Sequence, residues 1–128
     1  MNRETLTAYI VETYSVEPDR PWARYPDYEV FRHGGNRKWF AVLLRVSRKT
    51  LGLEGDGMLD IVNVKCDPLL IGSLRGGPGI YPAYHMSKGN WLSVAPEEAE
   101  EETLRLLLDR SFCQTAPKGR RRKGGYPP

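Results

Sequence analysis

The stretch Leu59–Leu74, "LDIVNVKCDPLLIGSL", decides the fold class. Its first part, "LDIVNVK" (59–65), is rich in branched side chains and reads as a strand. Asp67 and Pro68 then change the geometry. Aspartate can cap a helix, and proline at the first helical position gives up no hydrogen bond. "LLIGSL" (69–74) is therefore a short helix, ended by "RGGPG" (75–79). A strand and a helix in so short a stretch require a mixed architecture, and the flanking sequence decides which one.

Upstream, Asn2 can cap a first helix whose inner stripe is Leu6, Tyr9, Ile10 and Thr13. Pro18 stops it, because the residue before a proline disfavours helix. "RPWARYP" (20–26) is an irregular connection. "YEVFR" (28–32) alternates as a strand, "HGGN" (33–36) offers glycines for a hairpin turn, and "RKWFAVLLRV" (37–46) is the returning strand. "SRKTLGLEGDGM" (47–58) is a loop.

Downstream, "IYPAYHM" (80–86) is extended, with Pro82 confining it to a sheet edge or a bulge. "SKGN" (87–90) is a turn and "WLSV" (91–94) the partner strand. Pro96 opens a last helix with glutamates at its positive dipole end and Leu104, Leu107, Leu108, Ser111 and Phe112 inside. The expected order is α-β-β-β-α-β-β-α. That is an α+β domain of two layers, an antiparallel sheet of about five strands with helices on one face. The domain spans residues 1–116, and residues 117–128, without periodicity, form a basic tail expected to be disordered.

A length of 128 residues with 40% hydrophobic content supports one core rather than two. No apolar run is long enough to cross a bilayer, and "MNRETLTAYIVETY" lacks the apolar block of a signal peptide, so the expected compartment is the cytoplasm. Cys66 and Cys113 are then expected to be reduced, buried thiols. The net charge of +3 is unevenly spread. Residues 1–19 and 95–116 are net acidic, whereas residues 20–94 and 117–128 are net basic. If acidic helices cover one side of the sheet, the strand side is expected to be cationic and to face an anionic partner.

Catalytic signatures do not appear. There is no G-x-S-x-G and no Cys-x-x-Cys, and the glycines of "GGPG" precede a strand rather than a phosphate-binding helix. His85 with Cys66 or Cys113 could in principle form a nucleophile pair, but nothing in the sequence places them together. His33, Cys66, His85 and Cys113 are too widely spaced for a structural zinc site. "EEAEEE" (97–102) reads as a solvated helix start rather than an iron site. No catalytic residue, metal or cofactor is expected.

The stretch "YPAYHMSKGNWLSV" (81–94) has two readings. In one, Tyr84, Met86, Trp91 and Val94 pair across a hairpin and pack on the core. In the other, Lys88 at the tip contacts phosphate while His85, Asn90 and Trp91 lie beside it. The tail "KGRRRKGG" is either a solvated charge run or an arm that tracks phosphates.

"FAVLL" after a basic pair, "VNVKCDP" (62–68), "GIYPAYHMSKGNWLSV" (79–94) and "RSF" (110–112) together resemble the MmcQ/YjbR family, from about Trp22 to Phe112. The "YHM…K…W" block is the most specific element. The resemblance implies an α+β fold similar to frataxin/CyaY and to secretion chaperones, with DNA binding through a double wing of hairpins. Ser87 and Asn90 depart from the asparagine and histidine often found there, and Trp39 stands where a smaller hydrophobe is common. The expectation is a non-enzymatic DNA-binding protein with wings at residues 33–38 and 87–91. Its candidate contacts are Arg37, Lys38, Lys65, His85, Lys88, Asn90 and Trp91, with Arg120, Arg121, Arg122 and Lys123 in the tail. The alternative is a protein-interaction or chaperone-like domain, and a third reading, a small-ligand domain, requires a concave pocket beside the sheet.

Overall fold

In the computed structural model, residues 1–117 are described. The tail expected at 117–128, with Arg120, Arg121, Arg122 and Lys123, lies outside them beyond Pro117. The elements run α1 (Arg3–Tyr14), β1 (Glu29–Arg32), β2 (Trp39–Ser47), β3 (Met58–Lys65), α2 (Pro68–Leu74), β4 (Ile80–Pro82), β5 (Trp91–Val94) and α3 (Glu101–Thr115). This is the expected α+β order. The five strands form one sheet in the order β1-β2-β3-β5-β4, with every neighbouring pair antiparallel. Pro82 sits on the edge strand β4, where its missing N–H leaves no ladder bond unmade.

Local chemistry fixes the helix ends. The Asn2 side chain accepts from the Thr5 N–H at 2.8 Å, and the Asp67 side chain accepts from the Leu69 N–H at 2.9 Å. Leu6 and Ile10 of α1, Ile71 of α2, and Leu104, Leu107 and Leu108 of α3 are buried against Leu43, Val62, Val64, Leu92 and Val94. Each such leucine or isoleucine contributes about 1.5–3 kcal/mol by leaving water, so this layer carries most of the stability. The inner stripe of α1 is narrower than the sequence suggests, since Thr13 is exposed and the helix ends at a left-handed Ser15 (φ 54°).

Four local expectations are corrected. The last helix starts at Glu101, not Pro96. Residues 96–98 form a turn in which the Glu98 and Ala99 N–H groups both donate to the Ala95 carbonyl. That turn packs on Gly79 so closely that a Cβ there would lie 2.6 Å from the Ala99 nitrogen. The strand expected over 80–86 ends at Pro82, because the Ser93 hydroxyl takes the Tyr84 N–H and the Asn63 amide takes the Tyr84 carbonyl. Arg37 and Lys38 belong to the hairpin loop rather than to β2, with Arg37 in the left-handed region (φ 63°).

The fourth correction matters most for function. The strand side of the sheet is not a cationic surface. Val30, Val42, Leu44, Val46, Leu59 and Ile61 form a second apolar layer there, and Trp22, Tyr28, Trp39, Tyr81 and Tyr84 pack on it. Several arginines are engaged in pairs with carboxylates: Arg3 with Asp60, Arg32 with Asp19, Arg45 with Asp60 and Arg48 with Glu98. Arg32 and Arg48 of the basic block pair with Asp19 and Glu98 of the flanking acidic blocks, which net charge by block does not register.

Candidate functional site

One end of the open sheet face gathers cations around two indoles. The antiparallel β3–β5 register places Lys65 opposite Trp91. On β2 the pairing with β1 passes from Ala41 to Trp39 and skips Phe40. This bulge sends the Phe40 ring into the helix-side core and leaves Trp39 on the open face. Between the ends of β2 and β3, Ser111 of α3 replaces a ladder bond. Its hydroxyl donates to the Phe40 carbonyl at 2.6 Å and accepts from the Lys65 N–H at 2.9 Å.

The loop between β1 and β2 is held in place rather than left swinging. The His33 N–H donates to the Lys38 carbonyl and the Arg37 N–H donates to the His33 carbonyl. The Asn36 amide donates to the Thr115 carbonyl at 2.9 Å, and its oxygen accepts from the Lys38 N–H at 3.0 Å. The buried His33 ring lies between Phe40 and Phe112, with Nε2 2.9 Å from the Thr115 hydroxyl. Burial holds the His33 imidazole below the usual histidine range.

The result is a shallow groove of about 360 Å³ lined by Arg37, Lys38, Trp39, Lys65, Trp91 and Thr115. Its lining contains no carboxylate. Asp19 approaches from the side, bonded to Arg32 at 2.8 Å and 3.8 Å from Arg37. The groove is therefore suited to an anion flanked by flat apolar surface.

A second concavity adjoins the first and shares Trp39 with it. The Tyr25 N–H donates to the Trp22 carbonyl and the Tyr28 N–H to the Tyr25 carbonyl, so two successive turns bring three aromatics to one side. With Trp39 and Tyr84 they wall a pocket of about 400 Å³. Val42, Leu44 and Asn63 also line it, as do His85 and Met86. Asn63 is fully buried: its amide donates to the Tyr84 carbonyl and its oxygen accepts from the Ser93 hydroxyl. His85 has a left-handed backbone (φ 60°) and its ring lies 3.8 Å from that of Tyr84.

The candidates thus divide. Arg37, Lys38, Lys65 and Trp91 share one groove. Lys88 and Asn90 are exposed in the turn leading into Trp91, outside that lining, with the Asn90 carbonyl accepting from the Cys66 N–H. His85 belongs to the aromatic pocket instead. Tyr84 and Met86 line that pocket too, rather than pairing across a hairpin with Trp91. His85 also cannot act with either cysteine. Cys66 is buried in the helix-side core as expected, Cys113 is exposed on α3 rather than buried, and the sheet lies between them and the pocket. Burial raises the Cys66 thiol, opposite to what a nucleophile needs. Among the described residues no three His, Cys, Asp or Glu side chains form a group able to hold a metal ion. Of the acidic run, Glu98 accepts from the Tyr81 hydroxyl and Glu101 pairs with Arg105. No helix among the described residues is long and apolar enough to cross a membrane.

Sequence reading missed Trp22, Tyr25, Tyr28 and Asn63. The available signal was three aromatics within "WARYPDY", a segment with no periodicity of its own, whose rings need a surface to cover.

Comparison with known proteins agrees with this architecture. The family model for YjbR matches residues 11–114. The chain is 39% identical over 116 residues to the uncharacterized protein YyaQ of Bacillus subtilis (strain 168), covering 90% of this chain and 98% of that one. It is 34% identical to the uncharacterized protein YbdF of Escherichia coli O157:H7, covering 71% of this chain and 66% of that one. A crystal structure of a Pseudomonas syringae protein is similar with a TM-score of 0.89 and 41% identity, over 91% of this chain and 100% of that chain. A Deinococcus radiodurans protein, at 21% identity and a TM-score of 0.59 over 86% of this chain and 78% of that one, shares the fold alone. With its model match running through nearly the whole described chain, this protein belongs to the YjbR family.

Proposed function

We propose that this protein is a non-enzymatic nucleic-acid-binding domain, acting on DNA, with the groove between the hairpin loop and β5 as its phosphate site. The observation that carries the reading is the convergence of Arg37, Lys38 and Lys65 on Trp39 and Trp91 in a lining without a carboxylate. Lysine and arginine neutralise phosphate and release counterions, while indoles offer faces for a sugar or base. Lys88 extends the positive surface from the neighbouring turn. The hairpin loop is tied to Thr115 by Asn36 and His33, so the cations are held in register rather than on a loose arm. Binding of labelled single-stranded and duplex DNA measured from low to high salt tests the reading. The log of the affinity should fall linearly with log salt, and the charge reversals Lys38→Glu and Lys65→Glu should each weaken binding to every sequence. Binding that is flat in salt, or indifferent to both reversals, contradicts it.

A further inference from the structure

We infer that the aromatic pocket beside the groove takes one unstacked nucleobase, so that the preferred ligand is unpaired rather than fully duplex nucleic acid. The inference rests on the phosphate reading of the groove but uses different residues.

Three features of the pocket point to a neutral, planar ring. Its lining contains no lysine, arginine, aspartate or glutamate, so apart from the His85 imidazole it offers a charged group no ionic partner in exchange for lost water. Five of its lining residues, Trp22, Tyr25, Tyr28, Trp39 and Tyr84, carry Trp or Tyr rings. Tyr25 and Tyr28 stack at 4.9 Å with only 12° between planes, and Trp22 stands edge-on to both Tyr28 and Trp39. A volume of about 400 Å³ falls within the ordinary range for small-molecule sites and is ample for a single base.

The connection to the groove selects among planar rings. Trp39 lines both concavities, so a ligand filling both must join a neutral ring to an anion. A nucleotide has that construction: the phosphate lies among Lys38 and Lys65, and the base turns past Trp39 into the pocket. A base paired in a duplex cannot reach it without leaving its stack, which costs energy that single strands do not spend. The Asn63–Ser93–Tyr84 hydrogen bonds fix the pocket wall at Tyr84, so the site is formed before the ligand arrives.

The test compares two oligomers of equal phosphate count on the full chain. One is entirely abasic, and the other carries a single central thymine. The thymine should tighten binding by at least about fivefold, the lower end of what one base stacked on aromatics contributes. Tyr25→Ala should remove that gain while leaving the salt dependence of the abasic oligomer unchanged. Tyr25 is half exposed, so its loss spares the fold, and Tyr28→Leu provides an independent second variant. Equal binding of the two oligomers overturns the pocket inference while the groove reading stands, and a gain that survives both substitutions overturns it too. If neither oligomer binds, the groove reading fails. The pocket is then decided by thymidine alone: saturable quenching of tryptophan fluorescence that Tyr28→Leu abolishes supports it, and no quenching overturns it.

Discussion

Lys65 and Trp91 face one another across the antiparallel β3–β5 pair, on the side of the sheet that the helices leave open. In the proposed reading this cation beside an indole at a strand end receives an anion. The pair comes from residues far apart in sequence, and Ser111 of α3 fixes the Lys65 backbone beneath it.

That fixing sets the first prediction. Ser111 is fully buried and serves two backbone groups at once, the Phe40 carbonyl and the Lys65 N–H. Ser111→Ala leaves both without a partner and should cost about 1–3 kcal/mol or more, read as a lower urea midpoint. A midpoint unchanged from the parent would mean that the bridge contributes nothing.

Gly79 carries the second. Its φ of +71° suits glycine, and a Cβ would meet the backbone of Ala99 at 2.6 Å and of Ala95 at 3.0 Å. Backbone cannot step aside as a flexible side chain can. Gly79→Ala should lower stability by about 2 kcal/mol or more through the strained angle and the clash together. The control is Gly72→Ala, where a Cβ meets nothing within 4 Å and the helix should gain slightly.

The third concerns pH. Burial lowers the His33 imidazole in the folded state, so the fold takes up a proton less readily than the unfolded chain does. By linkage, the full stability is present above the ordinary histidine value of about 6.5 and is lost as pH falls from there toward the lower folded value. A single group gives at most about 1.4 kcal/mol per pH unit. Urea midpoints between pH 7 and pH 5 should fall in the parent and fall less steeply in His33→Gln. Parallel curves for the two proteins would exclude His33 as the cause.

The element order was legible because each boundary has a local chemical cause. Asn2 and Asp67 cap helices through their own side chains, and Pro82 marks an edge strand. What failed depended on distant partners. The start of α3 moved because residues 96–98 turn against Gly79, and β4 stopped because Asn63 and Ser93 claim the Tyr84 backbone. Site residues followed the same division. Lys65 and Trp91 were visible as a basic residue and an aromatic near strand ends, whereas the pocket wall at Trp22, Tyr25 and Tyr28 comes from a connection without regular structure. The sequence names those aromatics but not the surface they cover.

Both the groove and the tail are basic, so either could carry nucleic-acid affinity. Replacing Lys118, Arg120, Arg121, Arg122 and Lys123 with glutamine in the full chain removes the tail's share. In that background, salt-dependent binding to a single-stranded oligonucleotide is the most direct test of the groove. The account predicts that binding persists, and that adding Lys38→Ala and Lys65→Ala flattens the slope of log affinity against log salt by about 1.4, roughly 0.7 for each phosphate on a single strand that a lysine no longer neutralises. Abolition of all binding by the glutamine changes, or a slope that ignores the lysine pair, would contradict it.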